Sequence, residues 1–72
     1  MNKRLLRSEM VLHGDTNKTL SNYLGIAEAT LSNKINESNG AEFNQKEISA
    51  IRQRYSLSND KFIDIFFGQG VS

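Results

Sequence analysis

Apolar residues recur along this chain at spacings of three and four. Five glycines, at positions 14, 25, 40, 68 and 70, divide the recurrences into pieces of helical length, and proline is absent. Leu6 and Met10 stand one turn apart, with Leu5 and Leu12 beside them, in a piece running from Asn2 to His13. Gly14 follows where a helix C-terminus takes a positive φ, so this piece is predicted as a first helix. Asp15 or Thr16 is placed to accept a backbone N–H as N-cap of a second helix. That helix runs to Tyr23 or Leu24, with Leu20, Tyr23 and Leu24 facing inward, and Gly25 ends it. After a turn of Gly25, Ile26 and Ala27, the segment Glu28 to Asn36 holds Leu31 and Ile35 at i and i+4 and is predicted as a third helix. Glu37 to Gly40 reads as a polar loop.

Asn44 followed three residues later by Glu47 resembles a capping box, and Ile48, Ile51 and Tyr55 then recur at helical spacing as a fourth helix. Ser58 is the expected N-cap of a fifth, with Asp60 suited to the positive end of the helix dipole and Phe62, Ile65 and Phe66 as the inner stripe. Phe62 to Phe67 also has the β-branched and aromatic content of a strand, but no second alternating run exists to pair with it. The expectation is a single all-α, five-helix domain over residues 1–72. Leu5, Val11 and Leu12 widen the first helix's apolar stripe past one face, as Phe66, Phe67 and Val71 do at the other end. Each is either deeper core or a surface for another chain.

Seventy-two residues hold one core, with stability on the order of 3–5 kcal/mol. Without cysteine, disulfides, thiolate metal sites and cysteine nucleophiles are excluded. His13 is the single histidine; with no second ligand at metal spacing it reads as a helix C-terminal residue facing the dipole, and neither a metal nor another cofactor is expected. No paired carboxylates or nucleophile and base stand at catalytic spacing, so no enzyme is expected. The net charge of +1 is far from that of a protein holding nucleic acid by bulk charge. Residues 1–36 carry five basic and three acidic side chains, residues 37–72 four and five, so any basic surface belongs to the first half. Lys3, Arg4 and Arg7 resemble the n-region of a signal peptide, but Ser8, Glu9 and His13 interrupt any apolar run after them. Neither export nor a membrane span is expected, and the location expected is cytoplasmic.

The second and third helices, joined by a turn containing glycine, have helix-turn-helix spacing over residues 16–36, which a plain helical hairpin shares. The string Thr16-Asn17-Lys18-Thr19-Leu20-Ser21-Asn22-Tyr23-Leu24-Gly25-Ile26-Ala27-Glu28-Ala29-Thr30-Leu31-Ser32 separates the two. It resembles the phage Cro and repressor family, which reads Thr-Gln-x-x-Leu-Ala-x-x-Leu-Gly-Val-Ser-x-x-Thr-Ile-Ser here. The match continues through Phe43, Glu47, Ile48, Ile51, Leu57, Ile65, Phe66 and Phe67, nearly the whole chain. Within the family the chain is most similar to short lytic-side regulators of temperate phages of Gram-positive bacteria.

The resemblance implies a five-helix domain whose third helix enters the DNA major groove. By matched position Glu28, Ala29 and Asn33 would face base edges, while Asn17 and Asn36 would contact phosphate. With Lys18 and Ser32, these make a recognition set of Asn17, Lys18, Glu28, Ala29, Ser32, Asn33 and Asn36. Leu20, Leu24, Ile26 and Leu31 would hold the two helices at a fixed angle. Two departures change the picture. Ala27 replaces the usual serine or threonine N-cap, leaving the opening N–H groups of the third helix to a DNA phosphate or a partner's carboxylate. Glu28 brings an acidic group among phosphates, useful there only in accepting from cytosine N4; otherwise it is a favourable charge at a helix N-terminus. Lys34 and Lys18 are the sole cations of their helices. The expected function is regulation of the lysis–lysogeny switch. The partner is either the phage repressor protein, met as an antirepressor meets it, or operator DNA, bound as Cro binds it.

Overall fold

Each helix of the computed structural model begins where a short polar side chain can take a free backbone N–H; α3 is the exception. The structure describes residues 1–68. Asn2 caps α1 (Lys3–Leu12) by accepting from the Leu5 N–H. Thr16 and Thr19 form a reciprocal capping box at the head of α2 (Asn17–Leu24), and Asn44 and Glu47 form another at α4 (Gln45–Tyr55). Ser58 caps α5 (Asn59–Phe66). Between α3 (Glu28–Asn36) and α4 the polar loop takes a short 3-10 turn, Ser38–Gly40. The segment read as a possible strand, Phe62 to Phe67, is helical up to its cap at Phe67. The fold is therefore the all-α, five-helix domain that the periodicity predicts, and no described helix is long and apolar enough to cross a membrane.

The core gathers one or two side chains from every helix: Leu6 and Met10, Leu20, Leu31 and Ile35, Ile51 and Tyr55, and Ile65, with Leu57 from the last turn. Leu24, Ile26, Phe43, Phe62 and Phe66 pack partly buried around it. Two inward assignments change, and one alternative cap is settled. Tyr23 is 45% exposed, and the small side chain of Ser21 takes the buried place, its hydroxyl donating to the Lys18 carbonyl at 2.9 Å. Ile48 is only half-buried, at the edge where Met1, Phe43 and Phe66 meet. Asp15 does not cap α2, because Thr16 does. The leftover apolar surface of α1 is real: Leu5, Val11 and Leu12 are all exposed, as is Phe67 beyond α5. Val71 lies outside the described residues.

Candidate functional site

The helix-turn-helix unit is α2, the turn at Gly25 and α3, and the two helices pack directly on each other. Gly25 sits at φ 74°, a left-handed conformation that a side chain would strain, and this lets the chain reverse after one residue. Leu20, Leu31 and Ile35 fasten both helices to the core. Because Leu31 and Ile35 point inward, Ala29, Asn33 and Asn36 occupy the opposite side of α3 and Ser32 its flank, while Glu28, three and seven residues before the inward pair, stands on their side in the exposed first turn. Glu28, Ala29, Asn33 and Asn36 are exposed and Ser32 half-buried. Asn17, half-buried, and Lys18, exposed, form the first turn of α2. All seven recognition residues thus stand on the paired helices, five on α3 and two at the start of α2.

Two ionic clasps from α4 hold this unit, and sequence reasoning missed both. The first is centred on Asp15, whose side chain is 4% exposed. Arg54 donates to both its oxygens from Nε and Nη2 at 2.7 and 2.8 Å, the Tyr55 hydroxyl donates at 2.7 Å and the Thr19 hydroxyl at 2.8 Å. The Arg54 hydrogen bonds hold the Asp15 carboxyl well below the usual carboxylate range. Burial, with the Asp15 carboxylate beside it, pushes the Tyr55 phenol up. Arg54 also lies over the Tyr23 ring at 4.4 Å, and the Tyr23 hydroxyl reaches the Ala50 carbonyl at 3.4 Å, which explains why Tyr23 faces outward. His13, expected to face only the dipole, stacks on Tyr55 with centroids 4.9 Å apart. Asp15 is separated by 39 and 40 residues from Arg54 and Tyr55, so no local pattern reveals the two partners on α4.

The second clasp changes the electrostatics of the site. Lys34, the sole cation of α3, donates from Nζ to both oxygens of Glu47 at 2.7 and 2.8 Å, and Glu47 is buried. Glu47 also accepts from the Asn44 N–H, so one carboxylate caps α4 and binds α3. With Lys34 consumed in this way, the unpaired charges of the unit among the described residues are Lys18 on α2 and Glu28 on α3. Ala27 makes no side-chain cap, so the opening N–H groups of α3 stay available beside Glu28. No family model, curated protein or solved structure matches the chain.

Proposed function

We propose that this protein is a phage regulator of the lysis–lysogeny switch that acts as an antirepressor, a modulator of repression, forming a complex with the phage repressor through the outward surface of α2 and α3. The observation that carries the proposal is the Lys34–Glu47 ion pair, at 2.7 Å. It neutralises the one lysine of the helix that the family resemblance assigns to the major groove, and leaves Glu28 as that helix's free charge. A groove-reading helix with one exposed carboxylate and no free cation gains little from counterion release. Against a repressor's own DNA-reading surface, basic by the needs of phosphate binding, the same carboxylate is attractive and steers encounter. The neutral side chains Asn33 and Asn36 offer hydrogen bonds to either partner.

A Cro-like operator binder is the second reading, and one observation favours it. The uncapped first turn of α3 presents N–H groups of the kind that a DNA phosphate occupies. Calorimetric titration of the protein into the isolated DNA-binding domain of the repressor, and separately into an operator duplex, distinguishes the two. The antirepressor reading expects a stoichiometric protein complex that releases operator from the repressor. For DNA alone it expects weak binding, with a salt slope shallower than about −4, since each phosphate contact contributes roughly −0.9. Tight operator binding with a steep slope and no repressor complex overturns it.

A further inference from the structure

The carboxylate that Lys34 meets is held by donors from two elements. Glu47 receives the Lys34 ammonium on both oxygens, at 2.7 and 2.8 Å, and the Asn44 N–H on one of them at 3.0 Å. An ammonium and a backbone N–H converging on an anionic oxygen are also what a nucleic-acid phosphate takes. Lys46 stands beside this carboxylate, exposed and in no ion pair among the described residues. Lys46 and Glu47 line a hollow of about 230 Å³ between α2 and α4. We propose that Glu47 is an autoinhibitory contact, whose carboxylate takes the place of a phosphate oxygen from inside the chain and so closes an anion subsite of Lys34, Lys46 and the Asn44 N–H to nucleic acid. The inference rests on the reading of α2 and α3 as a recognition surface and adds what keeps DNA off its edge.

Position, charge and burial fit that role. Lys34 belongs to α3, and Tyr23 and Leu24, the last two residues of α2, wall the hollow, so the subsite borders the recognition unit. Glu47 is the carboxylate that sets the charge of this edge. Of the two acids that share a second hollow with Lys34, Glu37 is held by the Met1 ammonium at 3.6 Å and Glu42 is exposed. Burial keeps the contact shut. Glu47 is only 7% exposed, so a phosphate that drew Lys34 away would leave a buried carboxylate without its counterion. The subsite therefore opens when Glu47 loses its charge, and not merely because DNA arrives.

Fluorescence anisotropy of a labelled, non-specific DNA duplex, read over a range of salt concentrations, tests this. Glu47→Gln frees Lys34 while keeping the cap of α4, because glutamine also accepts from the Asn44 N–H. It should bind the duplex about threefold to tenfold more tightly than the wild-type chain, with a salt slope steeper by about 0.9, the increment of one phosphate contact. Glu42→Gln makes the same change of net charge and leaves the Glu47 contact in place, so its gain should be smaller and its slope unchanged. Adding Lys34→Gln to Glu47→Gln should return affinity and slope to wild-type values. All variants are made in the Ser56→Gly background, where glycine relieves the φ of 51° at the end of α4 and keeps them folded, as circular dichroism reports. A folded Glu47→Gln variant that binds no more tightly than Glu42→Gln, or a gain that persists without Lys34, overturns the inference. The antirepressor reading fails on a different result, tight operator binding by the wild-type chain with no repressor complex, so the two failures are distinguishable.

Discussion

Asp15 is the residue on which the placement of the helix-turn-helix unit most depends. Its carboxylate sits just before α2 and takes three hydrogen bonds from α4, two from Arg54 and one from Tyr55. Asp15→Asn keeps the size and removes the charge, and should cost about 2–3 kcal/mol as charge-assisted bonds are lost. For a domain this small that lowers the melting temperature by roughly 8–24 °C, which a circular dichroism melt reads directly. The pH dependence follows from the direction of the shift. Because the folded carboxyl titrates below its unfolded value of about 3.9, its stabilisation is complete above that pH and is lost as pH falls toward the folded value. Urea melts should show wild-type stability declining below about pH 4, with a flatter decline for Asp15→Asn. Tyr55 acts at the other limit. Its raised phenol contributes stability below an unfolded pKa of about 10, which is lost as pH climbs toward the folded value. Lys34 separates structure from recognition. Lys34→Ala strands the buried Glu47 carboxylate and should cost about 1–3 kcal/mol in a denaturant melt. Had Lys34 been a free phosphate contact, the same change would leave stability intact.

At the scale of elements, the helices follow local rules, and three of their ends break those rules. Ala27 cannot cap α3, and Glu37 at the end of α3 and Ser56 at the end of α4 hold φ 54° and 51°, where glycine is favoured. Ala27→Ser and Ser56→Gly should each raise stability by about 0.5–1 kcal/mol, measured as an upward shift of the urea midpoint with unchanged slope. If Ala27→Ser also weakens partner binding, the open N–H groups of α3 are part of the contact. The five helices were legible because caps and three- and four-residue spacings are contained in neighbouring positions. The span of α3, Glu28–Asn36, matches the sequence reading at both ends. Which face each helix buries was less legible. Tyr23 has the spacing of an inward residue but lies under Arg54, and Ile48 has the spacing of core but sits at its edge. The clasps Asp15–Arg54 and Lys34–Glu47 join distant segments, so only the folded chain reveals that the cation of α3 is already spent. Sequence therefore located the candidate surface but not its charge.

For the whole molecule, a single core drawn from all five helices leaves little reserve. Leu31→Ala and Ile51→Ala each empty a fully buried site, at about 2–5 kcal/mol against a total of similar size, and should unfold the domain or leave a broad low-temperature transition. Ile48→Ala, at a half-buried edge, should cost less than either, and an equal loss would place it in the core. The core and the α4 clasps together present α2 and α3 as a rigid surface headed by an acidic side chain, and the central claim is that this surface meets a basic repressor surface rather than DNA. Glu28→Lys tests it most directly, with affinity for the repressor's DNA-binding domain and for duplex DNA measured on the same preparation at one salt concentration. Repressor binding should weaken at least about tenfold, or 1.4 kcal/mol, as like charges meet, while non-specific DNA affinity rises with the added cation. Unchanged repressor binding together with lost operator preference would contradict the account and make Glu28 a reader of cytosine.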